Sequence, residues 1–189
     1  MANFQQAFNI TMGNEGGYSN NPNDHGGETY AGIASNYWPQ WQGWPIVHQI
    51  IASKPANLNV ALQANVQLQA DVEAFYKANF WDVLSLDSLN LQQSANQLFD
   101  SGVNMGTGVA AKFLQEAINA LTPNAVTVDG QVGHLTIAAA NAHTDEALYN
   151  QICALRKARY MAIIAANPSQ AVFEKGWLNR ITPFNTSLA

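Results

Sequence analysis

Two carboxylates stand out in the stretch GNEGGYSNNPNDHGGETYAGI, residues 13–33: Glu15, set against two glycines, and Asp24, in a segment rich in glycine, asparagine and proline. Their types suit the cleavage of a glycosidic bond. That reaction needs a proton donor for the leaving oxygen and often a second carboxylate, to activate water or to stabilise an oxocarbenium-like centre. The donor must hold its proton near neutral pH, and a carboxyl beside apolar surface and a helix C-terminus is pushed that way. Glu15 fits this demand, with Phe8, Met12 and Tyr18 as neighbours on the expected helix and turn. Glycines at 16 and 17 leave room for a substrate to approach the backbone. The same spacing equally suits a surface glutamate ahead of a turn and an aspartate that forms an Asx-turn.

The elements that must position these residues are mainly helical. Phe4, Ala7, Phe8 and Met12 recur at helical spacing, so a first helix is expected to end just before Glu15. Its C-terminal pole is negative and favours a protonated carboxyl. YSNNPNDHGGE reads as loop, and TYAGIAS as a short strand or the start of the next element. Pro45 suits the first turn of a helix that Pro55 stops. One longer helix is expected over residues 59–80, with Val66, Val72, Phe75, Tyr76 and Phe80 inward. Further helices are expected over 93–103, from Val109 to Leu121, over 135–142 and 145–166, and around Phe173 and Trp177. The fold class is mostly α, with a small β-hairpin after the first helix. Residues 1–92 and 93–189 read as two regions, joined near LDSLNLQQ and packed as one compact unit.

Composition narrows the function. The chain has 189 residues, 48% of them hydrophobic, which suffices for a real core. Charged residues make up 11%, well under the usual ~25%, so Asn, Gln, Ser and Thr must wet much of the surface. The net charge of −5 and the lack of a Lys/Arg cluster argue against nucleic acid as a partner. Cys153 is the single cysteine and reads as a small core residue on a helix. His25, His48, His134 and His143 show no zinc-ligand spacing, and VDGQVGH lacks the alternating acidic residues of a calcium loop, so no metal or other cofactor is expected. No apolar run reaches the ~18 residues of a membrane span. The opening MANFQQAFNITMGNEGG has no secretory pattern. The expectation is therefore a chain made in the cytoplasm, which another route must export or release if it acts elsewhere.

The stretch EGGYSNNPNDHGGETYAGI resembles the opening motif of the glycoside hydrolase family 108 muramidases, E-G-G-Y-x-x-D/N-P-x-D-x-G-G-x-T-x-x-G-I. Glu15, Gly16, Gly17, Tyr18, Pro22, Asp24, Gly26, Gly27, Thr29, Gly32 and Ile33 stand at matching positions. FYKANFWD resembles the family's aromatic helix end. FDSGVNMGTGVAAKFLQEAIN resembles the F-D-x-x-V-N-x-G segment that opens its predicted peptidoglycan-binding region. VDGQVGHLTIAAAN and GWLNRI resemble its D-G-x-x-G-x-x-T and G-W-x-x-R segments. The resemblance implies a lysozyme-like helical enzyme that hydrolyses the β-1,4 link between N-acetylmuramic acid and N-acetylglucosamine, with Glu15 as the catalytic acid, and that acts at the cell wall or periplasm after holin-type or other release; a monomer is expected. By a further likeness to phage-type lysozymes, Asp24 is the second catalytic group and Thr29 or Tyr30 shares the work. The Asp-to-Thr spacing is one residue shorter here than in those lysozymes. His25 and His134 stand where the family often has proline, and His25 has a second reading as a group that tunes the Asp24 charge.

Away from the motif, Asp100 and Asn104 fall one helical turn apart and share a face. They suit hydrogen bonding to a sugar, or bracing of a neighbouring backbone. Tyr30, Trp38, Trp41, Trp44 and Trp81 suit stacking on pyranose rings or plain core packing. A lytic transglycosylase and a non-catalytic peptidoglycan-binding or secretion accessory protein are the rival readings. The first returns an anhydro product without need of Asp24, and the second is indifferent to Glu15→Gln.

Overall fold

The first helix forms where the apolar spacing places it: α1 spans Phe4–Met12. The structure, a computed structural model, describes residues 1–13, 17–21 and 26–188. The chain divides into two units, Phe8–Asn79, and Met1–Ala7 with Phe80–Ala189. The boundary expected at 92/93 thus falls inside the second unit.

The unit Phe8–Asn79 carries the expected hairpin. Strands β1 (Thr29–Tyr30) and β2 (Ile33–Ala34) pair antiparallel, Thr29 with Ala34 and Tyr30 with Ile33. The turn between them is Ala31-Gly32, with φ of 48° and 78°. Positive φ at both central positions is what a tight two-residue hairpin requires, and it explains a glycine here. Helix α2 spans Trp44–Ala52 with Pro45 in its first turn.

The single helix expected over 59–80 is in fact α3 (Leu58–Gln63), α4 (Val66–Tyr76) and a π-helical turn over Lys77–Trp81. The break has a local cause. Asn65 turns extended, and its side chain accepts from the Leu68 N–H, capping α4, as Asn57 caps α3 through Val60. Val66 then sits at the solvent side of the first turn, 82% exposed, and is not core. Phe8, Tyr30, Trp41, Trp44, Leu62, Leu68, Val72, Phe75 and Tyr76 are buried. The Tyr76 hydroxyl donates to the Ala31 carbonyl at 2.7 Å and so holds the hairpin turn onto α4.

In the second unit, α5 (Gln92–Met105), α6 (Thr107–Leu121) and α8 (Asp145–Ala166) pack on one another. Gly106, at φ +91°, breaks the chain between α5 and α6. Thr144 caps α8. Asp145, in its first turn, also accepts from the backbone N–H groups of Gln93 and Ser94 at the start of α5, at 2.8 and 2.9 Å. One carboxylate thereby serves two positive helix ends. Two amides of α6 hold the turn-rich loop that follows it. Gln115 bonds Asp129, Gly130 and Gln131, and Asn119 bonds Val126 through both N–H and carbonyl. Helix α7 spans His134–Asn141. A 3-10 turn, Pro168–Phe173, then leads into α9, Glu174–Asn179. Phe4, Trp81 and Phe99 meet edge to face at 5.6–5.9 Å. None of the described helices is long and apolar enough to cross a membrane.

Candidate active site

Glu15, Asp24 and His25 lie outside the described residues. What the structure describes is the frame on either side of them in the unit Phe8–Asn79. After Glu15 comes Tyr18, whose backbone N–H donates to Asn59 Oδ1 at 2.9 Å. Ser19 and Thr29 then exchange backbone hydrogen bonds of 2.9 and 2.8 Å. Ser19 and Thr29, which stand on either side of Asp24 in sequence, are therefore joined by a backbone bridge. A Cβ at Gly17 would fall 2.4 Å from Asn59 Oδ1, so a side chain there would displace the amide that holds Tyr18.

Thr29 opens β1, half-buried, and its hydroxyl reaches back to the Gly27 carbonyl at 3.5 Å. Tyr30 is buried. Its ring stacks on Trp41 at 6.4 Å, and its hydroxyl accepts from Gln69 at 2.9 Å. Burial raises the Tyr30 pKa above the ordinary phenol value, so the group is neutral at physiological pH. Of the five aromatic candidates, Tyr30, Trp41, Trp44 and Trp81 are buried, whereas Trp38 keeps 40% of its surface.

Asp100 and Asn104 lie on α5, in the other unit. Asp100 is buried, and both its oxygens are taken: Oδ2 by Arg156 Nη2 and Oδ1 by Arg180 Nη1, the latter at 2.7 Å. Arg156 is fully buried and also bonds Gln97 Oε1 at 2.8 Å and the Tyr160 hydroxyl at 3.0–3.1 Å. Asn104 is exposed, and its amide donates to the Asp100 carbonyl at 2.7 Å. The aspartate of F-D-x-x-V-N and the arginine of G-W-x-x-R thus meet each other. The tryptophan of the latter, Trp177, stacks on Tyr160 at 5.0 Å.

Sequence reasoning passed over Glu28, at an open position of the motif. Its carboxylate accepts from the Tyr18 hydroxyl at 2.9 Å (Oε2) and meets His48 Nε2 at 2.6 Å (Oε1). The His48 ring stacks on Trp44 at 6.0 Å. No spacing rule links positions 18, 28, 48 and 59, so only the folded chain reveals the cluster. Cys153 is half-buried, and burial pushes its thiol up to about 11. Among the described residues no three His, Cys, Asp or Glu side chains gather into a metal-binding group.

Residues 8–106 match the family model described as glycosyl hydrolase 108, and residues 109–182 the one described as Predicted Peptidoglycan domain. The chain is similar to the solved structure of Brucella abortus SagA, with 25% identity and a TM-score of 0.63 over 94% of this chain and 88% of that one. No curated protein sequence matches it.

Proposed function

The chain belongs to the glycosyl hydrolase 108 family, and from that premise we propose that it is an N-acetylmuramidase with Glu15 as its general acid and Asp24 as the second catalytic group. The family match and the peptidoglycan domain behind it point to a glycoside hydrolase whose partner is peptidoglycan. The finer reading is that it cuts the β-1,4 bond on the N-acetylmuramic acid side. The observation that carries this reading is the E-G-G-Y…D pattern inside the matched region, flanked by the Asn59–Tyr18 and Ser19–Thr29 bonds.

The chemistry follows from the residue types. Helix α1 ends at Met12, and Glu15 comes soon after it in sequence. A carboxyl near the negative end of a helix holds its proton more tightly and can give it to a leaving oxygen. Asp24 either activates water or stabilises the positive centre that develops at the sugar. Thr29, half-buried in β1, completes the substrate-binding end of the reading, whereas Tyr30, buried against Trp41 and bonded to Gln69, holds β1 in place. Asp100, held by two arginines, supports α5 against α8, and a sugar contact by Asn104 uses the part of its amide that the Asp100 carbonyl leaves free.

Digestion of purified peptidoglycan tests the assignment. Glu15→Gln is expected to lower the rate of soluble fragment release at least ~100-fold, the range over which a positioned proton donor contributes, and Asp24→Asn to lower it less. A Glu15→Gln protein that digests at the wild-type rate removes Glu15 from the chemistry.

A further inference from the structure

Glu28 is a half-buried carboxylate, its side chain 19% exposed, that the family motif leaves open. Half-burial of a charge is unfavourable unless donors meet it, and here two do. The Tyr18 hydroxyl donates to one oxygen and the His48 imidazole faces the other. Behind His48 lies Trp44, itself buried, with its indole N–H on the Trp38 carbonyl at 2.9 Å. In front of Glu28 lies Tyr18, the last residue of E-G-G-Y, whose backbone is held by Asn59. Burial first, then the hydrogen bond and charge of Glu28, raise the Tyr18 pKa, so the phenol stays protonated as donor. A continuous path of contacts runs from α2 through imidazole, carboxylate and phenol to the residue that closes the acid's own motif.

We propose that Glu28 is a positioning residue for glycoside cleavage: clamped by His48, it fixes Tyr18, the residue that closes the E-G-G-Y motif in which Glu15 stands. The proposal rests on the assignment of Glu15 as general acid. The Tyr18 hydroxyl bonds at 2.9 Å to a carboxylate that His48 holds from its other oxygen, so this bond restricts where the phenol sits. A reacting group misplaced by about 1 Å loses up to ~100-fold in rate, and the loss falls on the chemical step.

The test is steady-state kinetics on soluble glycan oligomers of alternating N-acetylglucosamine and N-acetylmuramic acid, with Glu15→Gln as control. Glu28→Ala is expected to lower kcat by roughly 10–100-fold with KM within about twofold. Tyr18→Phe should do the same, and the double variant should be no slower than the slower single one, since both break one path. Glu28→Gln keeps an amide oxygen for the Tyr18 hydroxyl and should recover kcat to within about threefold of wild type. Glu28→Ala with unchanged kcat overturns the proposal, as do losses that multiply in the double variant or a Glu28→Gln as slow as the alanine. If Glu28→Ala fails to fold, Glu28→Gln and Tyr18→Phe still decide between these outcomes. An active Glu15→Gln sinks the acid assignment and this proposal together. An inactive Glu15→Gln beside a fully active Glu28→Ala sinks the positioning role alone.

Discussion

Asp100 answers to two arginines, and its replacement has a calculable consequence. Arg156 is fully buried and Arg180 largely so, with both carboxylate oxygens engaged. Removing one partner of a buried pair leaves charge without compensation, which costs about 3–5 kcal/mol. Asp100→Ala is therefore expected to lower unfolding free energy by that amount in urea titration, whereas exposed Asn104→Ala should cost ~1 kcal/mol or less. Cys153 makes a pH prediction. Its folded pKa is raised from 9.0 to about 11 by burial, so folding holds the thiol proton that the unfolded chain gives up. The stability is whole below 9.0 and declines as pH rises toward 11. Cys153→Ala should flatten that decline in thermal melts, and the wild-type thiol should resist alkylation at neutral pH. At this scale the sequence was partly legible. The i, i+4 spacing put Asp100 and Asn104 on one face, but the two arginine partners of Asp100 stand 56 and 80 positions away from it, and no local pattern reports such a pairing. Glu28 was hidden for the same reason.

Elements were the most readable level, because apolar periodicity is a local property. Helices α1, α6 and α8 form where their apolar residues recur at three and four, and Thr144 starts α8 where a capping residue should. The failure at 59–80 came from Asn65. An asparagine within an apolar pattern looks like a tolerated polar position, yet its side chain prefers the backbone N–H three residues on. Asn65→Ala is expected to cost about 1 kcal/mol through loss of the α4 cap, read in the same denaturant titration. Gly106 is the sharper case. Its φ is +91°, and no atom lies within 4 Å of where a Cβ would stand. Substitution by alanine therefore meets no clash, and the penalty of about 1–3 kcal/mol is one of backbone strain alone.

The whole molecule joins a glycosyl hydrolase 108 match at residues 8–106 to a peptidoglycan-domain match at 109–182. That order was legible in the motifs, whereas the division of the chain after Ala7 and Asn79 depends on contacts between residues far apart in sequence. If binding and cleavage are separable, Glu15→Gln should still sediment with purified cell wall as the wild type does while releasing no fragments. The most direct measurement of the central claim is mass analysis of the muropeptide ends released from peptidoglycan by the wild type and by Glu15→Gln. Reducing N-acetylmuramic acid ends from the wild type and none from the variant are expected. Anhydro-muramic ends would make the enzyme a transglycosylase and take Asp24 out of the chemistry, and reducing ends from Glu15→Gln at the wild-type rate would contradict the account at its root.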